Sequence, residues 1–200
     1  MKLAIGVMGS AIRPTEPRLK QLGRQLGAAI AERGCTLVTG GCPGLPYEAV
    51  LGASEAGGLV VGISPGLSLH EHLNKYNSPV DSFDVMIYTG SGLMGREIEN
   101  IRSSDIVVFI GGRSGTLGEF AIAYDEGKLI GVLSGTGGVA DAIDELVRLC
   151  DKETGAVVIS DSDPSRLIDR LLEYYSTEHY KHPNCFCPPR AEKRVPEEAA

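Results

Sequence analysis

The chain lacks the surplus of positive charge that binding to nucleic acid or to an anionic membrane surface requires. Its 19 Lys and Arg residues face 26 Asp and Glu residues, a formal net charge of −7. Any phosphate it binds must therefore be held by local contacts, with no nucleic-acid or membrane partner expected. Long hydrophobic runs are missing too. The apolar opening, Met1 to Met8, is too short to span a bilayer and no small-residue cleavage site follows it, so it reads as the first strand of a cytoplasmic protein. A disulfide framework is also absent. Of five cysteines, Cys35, Cys42 and Cys150 are scattered along the chain, which fits a reducing compartment.

Two nucleotide signatures are missing as well. The first strand carries Gly6-x-x-Gly9 instead of G-x-G-x-x-G, and the second ends in Thr39-Gly40 without an acidic residue for a ribose hydroxyl. No G-x-x-x-x-G-K-[ST] occurs. Neither hydride transfer from a nicotinamide cofactor nor ATP hydrolysis has a motif behind it, and no cofactor is expected.

What is present is a repeated unit of strand, glycine turn and helix. The run Ile106 to Ile110, β-branched and aromatic, reads as a strand buried on both faces. It ends in Gly111-Gly112, and Thr116 and Glu119 stand in the T-x-x-E spacing of a helix cap, so the loop from Gly111 to Gly115 should aim backbone N–H groups at an anion. Thr36 to Thr39 runs in the same way into Gly40, Gly41 and Gly44, ahead of a helix expected over Leu45 to Ala56. Further strands are expected over Leu3 to Met8, Leu59 to Ile63, Asp84 to Thr89, Leu129 to Leu133 and Ala156 to Ile159. Helical spacing marks Leu19, Leu22, Leu26 and Ile30, with Gly34 as the stop. A helix over Gly92 to Ser104 should turn Met94, Ile98 and Ile101 to one side, and Asp163-Pro164 should cap a last helix.

Strands alternating with helices of ten or more residues predict a three-layer α/β Rossmann-like domain over residues 1–176, with a parallel sheet of about seven strands. Ligands of such sheets collect beyond the carboxyl ends of the strands. Those ends hold Gly9-Ser10, Gly40 to Gly44, Thr89-Gly90 and Gly111 to Gly115. Arg13 and Ser10 lie near that rim, though a surface loop explains them equally well. His70 and His72 fall in an irregular segment and are expected to be exposed and without partners. Residues 177–200 form a tail expected to be partly mobile. Its His179-x-x-His182-x-x-Cys185-x-Cys187 could hold zinc, but the spacing matches no common finger, and no metal is assigned.

Taken together, Gly40-Gly41-x-x-Gly44, Met94-Gly95-Arg96 and Gly111-Gly112 through Gly115-Thr116-x-x-Glu119 resemble the LONELY GUY family, once misnamed lysine decarboxylases. The resemblance extends to its molybdenum-cofactor-carrier and DNA-processing-protein relatives and spans about residues 3–150. Characterised members are phosphoribohydrolases that cleave the N-glycosidic bond of a nucleoside 5′-monophosphate to free base and ribose 5-phosphate. Their motif is P-G-G-x-G-T-x-x-E, with an arginine on the preceding helix. The resemblance puts Arg96 and Glu119 in the catalytic positions and Gly111, Gly112, Gly115 and Thr116 in the phosphate loop, and it implies a homodimer. The chain departs from the pattern at Ile110 in place of proline, at one extra loop residue (Arg113 or Ser114), at Glu97 in place of lysine, at Cys42 in place of a glycine and at Pro46-Tyr47. These departures point toward the carrier-like relatives.

The chemistry can be stated without the family. Breaking a ribosyl N-glycosidic bond develops positive charge on the sugar, which a fixed carboxylate stabilises while orienting water. Glu119 is placed for that role, Arg96 for holding it or clamping ligand oxygens, and the glycine loop for the phosphate. The bland readings are a helix cap for Glu119 and a solvated helix charge for Arg96. The expected ligand is a nucleoside monophosphate or related phosphorylated compound, hydrolysed or, alternatively, carried intact.

Overall fold

The computed structural model describes residues 2–12 and 16–179. Seven strands form one sheet: β1 (Ala4–Gly9), β2 (Thr36–Thr39), β3 (Val60–Ser64), β4 (Val85–Tyr88), β5 (Ile106–Ile110), β6 (Leu129–Leu133) and β7 (Val157–Asp161). Every neighbouring pair is parallel, in the order β4-β3-β2-β1-β5-β6-β7. The helices between them are α1 (Pro17–Glu32), α2 (Leu45–Glu55), α3 (Leu69–Asn74), α4 (Gly92–Arg102), α5 (Ser114–Asp125), α6 (Gly138–Cys150) and α7 (Pro164–Thr177). The fold is the Rossmann-like α/β architecture that the alternation of strands and helices predicts.

The central strand shows why the sheet is covered on both sides. All five residues of β5 are buried. Ile106, Val108 and Ile110 join a core with Leu26 and Ile30 of α1, Ala49 and Val50 of α2 and Leu167 and Leu171 of α7. Val107 and Phe109 point the other way, into a core with Ile101 of α4, Phe120 and Ala123 of α5 and Ile143 of α6. That is the period-2 alternation of a strand, and each fully buried aliphatic or aromatic side chain stabilises the fold by about 1.5–3 kcal/mol. Asp163 caps α7 by accepting from Arg166 N at 2.8 Å, with Pro164 at the first helical position. Among the described residues no helix is long and apolar enough to cross a membrane.

The chain winds outward from β1 to β4, then returns to the other side of β1 with β5. The loops after β1 and β5 part at this reversal and leave a crevice at the carboxyl ends of the strands.

Three expectations are corrected. The T-x-x-E cap does not form: α5 starts at Ser114, its N-cap is Arg113 with no side-chain cap bond, and Thr116 and Glu119 already lie inside the helix. The expected apolar side of α4 holds only at Ile101. Met94 is 71% and Ile98 39% exposed, while Arg96, Glu97, Asn100 and Ile101 are buried. Finally, His72 is buried and partnered, with Nδ1 2.8 Å from Ser64 Oγ and Nε2 2.9 Å from Pro79 O. The carbonyl can only accept, so Nε2 carries the proton and Nδ1 accepts from the serine hydroxyl. This bond pair ties the excursion between β3 and β4 to the sheet. His70 is exposed, as expected. Arg13 and the tail residues His182, Cys185 and Cys187 lie outside the described residues.

Candidate functional site

Strand β1 ends in Gly9, and the chain then passes through Ser10 and Ala11 along one wall of the crevice. The opposite wall comes from the turn after β2, where Gly40 cannot be replaced by a larger residue without displacing Arg96. The guanidinium of Arg96 lies where a Cβ on Gly40 would stand. Gly44, at φ +100°, serves the packing of this turn: its Cα faces the carbonyl of Ser10, which in turn accepts from Leu45 N at 2.9 Å. Helices α4 and α5 close the remaining side.

The result is a cleft of about 510 Å³ whose lining includes Gly9, Ser10, Gly40, Cys42, Arg96, Glu97, Arg113, Gly115, Thr116 and Glu119. A smaller cavity of about 250 Å³ lies at the opposite end of the sheet. Its charged groups are already engaged: Arg102 with Glu126 at 2.7 Å, Lys128 with the Ser104 carbonyl at 2.8 Å and Asp105 with Ala4 N at 2.8 Å.

Inside the large cleft, Arg96 Nη1 stands 3.7 Å from Glu119 Oε1, and Arg96 Nη2 stands 3.5 Å from Cys42 Sγ. Both partners of the ion pair are more than nine-tenths buried. Burial pushes the Glu119 carboxyl up to about 8; Arg96 opposes that shift and the Glu97 carboxyl adds to it. Burial likewise raises Glu97 and the Cys42 thiol, again against Arg96. Three buried polar atoms of α4 have no hydrogen-bond partner: Arg96 Nε, Glu97 Oε2 and Asn100 Oδ1. One turn of one helix therefore turns unsatisfied polar groups inward.

Not every glycine expected at the site reaches it. Gly41, Gly44, Gly111 and Gly112 are absent from the lining. Gly41 N donates to Thr39 Oγ1 at 3.1 Å and Gly111 N to Thr136 Oγ1 at 2.8 Å. The carbonyls of Gly111 and Gly112 accept from Ala140 N and Val139 N at the start of α6. This glycine pair fastens α6, and the backbone facing the cleft begins at Arg113. Thr89 bonds back to the Ser64 carbonyl at 2.8 Å, at the edge of the sheet. Val7, Met8, Ala11, Pro46, Leu93, Met94, Arg113 and Ser114 also line it and are not among the expected site residues. Met94 belongs to the Met94-Gly95-Arg96 motif, and Pro46, Arg113 and Ser114 mark departures from the family pattern; the others are signalled only by standing near a turn at the carboxyl rim. Among the described residues no cluster of three or more His, Cys, Asp or Glu side chains is arranged to hold a metal ion.

This arrangement of cleft, arginine and glutamate can be set beside known proteins. The model of the SLOG cluster4 family matches residues 2–168. The chain belongs to that family. It is 36% identical over 120 residues to the cytokinin riboside 5′-monophosphate phosphoribohydrolase of Mycobacterium tuberculosis, covering 60% of this chain and 61% of that protein. The chain thus spans about three-fifths of that relative's length. Among solved structures, the molybdenum cofactor binding protein of Rippkaea orientalis superposes with a TM-score of 0.72 at 31% identity, over 88% of this chain and 99% of that one. The molybdenum cofactor carrier protein of Chlamydomonas reinhardtii gives 0.68 at 30%, over 86% and 99%. The SLOG chain described here is therefore similar both to phosphoribohydrolases and to carriers.

Proposed function

We propose that the cleft binds a nucleoside 5′-monophosphate and that the protein hydrolyses its N-glycosidic bond, releasing base and ribose 5-phosphate. The observation that carries this reading is the buried Arg96–Glu119 pair beside the first turn of α5. In it, the backbone N–H groups from Arg113 to Thr116 and the positive end of α5 hold the phosphate. The sugar then lies over Glu119.

The raised pKa of Glu119 gives it two successive tasks. Protonated at neutral pH, it donates its proton to the departing base as the C1′–N bond breaks and the electron pair leaves with the base. The carboxylate so formed stabilises the positively charged sugar, and water adds to C1′ and returns a proton to it. Arg96 orients the carboxyl throughout. Turnover should hence fall as pH rises through about 8; a pH–rate profile that rises there removes the acid role.

A second reading, an intact phosphorylated ligand carried and handed on, is favoured by the near-complete overlap with the molybdenum cofactor binding protein. Free base released from a panel of purine and pyrimidine monophosphates distinguishes the two. Under hydrolysis, Glu119→Gln abolishes release and spares most binding; under carriage, no base is released and the same substitution leaves affinity nearly unchanged. No release by folded protein from any monophosphate would remove the hydrolase reading. A homodimer accompanies either reading, supported by the apolar side chains of Leu93, Met94 and Ile98 that α4 leaves on the surface.

A further inference from the structure

Five residues that line the cleft can carry charge: Cys42, Arg96, Glu97, Arg113 and Glu119. With Glu119 protonated, an ionised Glu97 cancels one of the two arginines and weakens the cleft's attraction for an anion. Glu97 is the member without a visible task. Its side chain is laid against α5 where Gly115 and Gly118 leave room; a Cβ on these glycines would stand 3.4 Å from Oε1 and 3.2 Å from Oε2. The residue is 6% exposed, and Oε2 has no hydrogen-bond partner. The adjacent guanidinium is directed to Glu119 and Cys42.

A buried carboxyl that served the fold alone would be expected to have both oxygens satisfied, because an unpaired one is costly. In a low-dielectric cleft it also acts at a distance on any charge that enters. Resting on the reading of this cleft as a phosphomonoester site, we propose that Glu97 is a specificity-determining residue. It penalises each negative charge brought into the cleft, so the site accepts ligands with one phosphate and rejects di- and triphosphates. The penalty for the single phosphate is relieved by a proton taken up at the Glu97 carboxyl as the anion enters.

The test is calorimetric titration of the full chain. The probes are whichever of AMP, GMP, CMP and UMP binds tightest, together with its nucleoside, diphosphate and triphosphate, against wild type and Glu97→Gln. Wild type should bind the monophosphate best and each further phosphate more weakly. E97Q should bind the monophosphate about tenfold tighter, a gain in line with one like charge removed from a partly screened site, gain more for the di- and triphosphate, and leave the nucleoside within about twofold. Heats of monophosphate binding in buffers of different ionisation enthalpy should reveal proton uptake by wild type and less by E97Q. A substitution effect equal across the four ligands means a packing role and overturns the proposal, as does no effect. If wild type binds the triphosphate as tightly as the monophosphate, this inference falls while the phosphomonoester reading stands. If no monophosphate binds at all, both fall. Should E97Q not fold, the wild-type ligand series and buffer heats decide alone.

Discussion

Arg96 reaches from α4 to within 3.7 Å of Glu119 on α5, and neither side chain is more than a tenth exposed. The pair joins the two helices through the floor of the cleft. Its electrostatics are set by burial more than by attraction, since the carboxyl is raised to about 8 despite the guanidinium.

That shift makes stability depend on pH. The folded chain holds on Glu119 a proton that the unfolded chain releases near 4.5, so stability should fall as pH rises from about 4.5 to about 8 and level off above. Glu119→Gln removes this slope. At pH 8.5 the variant should exceed wild type by on the order of a few kcal/mol, and at pH 4.5 the two should coincide. Urea unfolding at both pH values checks this, and an unchanged difference between them would show that the carboxyl is not held protonated.

Arg96 is the main group that pulls the Cys42 thiol down against its burial, with Ser78 adding to it. The Arg96→Met variant keeps bulk and removes the charge. The pH midpoint of Cys42 alkylation should move upward in it, and turnover should drop by about 10²–10³ if Arg96 holds Glu119 in the transition state. Peptide mapping of iodoacetamide modification across pH measures the first effect, and a midpoint that stays put contradicts the 3.5 Å contact.

Gly40→Ala should damage the site more than the fold. The added methyl meets the movable end of Arg96 and no backbone atom among its nearest neighbours, so the melting point should change little while ligand affinity falls by about tenfold or more. Gly34→Ala is the contrasting control. Nothing lies near its Cβ, but φ is +72°, so it should cost about 1 kcal/mol in stability and leave affinity alone.

His72→Ala leaves the Ser64 hydroxyl and the Pro79 carbonyl without the partners they have at 2.8 and 2.9 Å. A cost of about 2–4 kcal/mol is expected in chemical denaturation. Hydrogen exchange should speed up first in the segment between β3 and β4.

The strands were legible as short runs rich in β-branched and aliphatic residues, and two of them, Thr36 to Thr39 and Ile106 to Ile110, run directly into glycine. The start of α5 was not. Its first turn is fixed by Gly112 at φ +116° and by the Gly111 bond to Thr136, a residue 25 positions away. A local T-x-x-E pattern cannot register such a contact. The inward face of α4 was misread for a related reason. Apolar spacing at Met94, Ile98 and Ile101 normally marks the core side, yet here only Ile101 reaches the core, while Arg96 and Glu97 turn inward because the ligand cleft lies against that part of the helix. The partners of His72 likewise come from a strand end and a turn that only the folded chain brings together. Arg96 and Glu119 themselves were recognised from motif residues, and their meeting is a product of how α4 and α5 pack.

The reversal of winding at β1 carries a consequence for how this molecule comes apart. The cleft draws its walls from residues 7–11, 40–46, 93–97 and 113–119, segments from four separate stretches of chain. No truncated piece ending before β5 can assemble it, and loosening any one of the inner strands dismantles all of it. Occupancy is thereby a whole-molecule readout: a bound ester should delay melting of every layer in concert and by the same increment, whichever helix carries the probe.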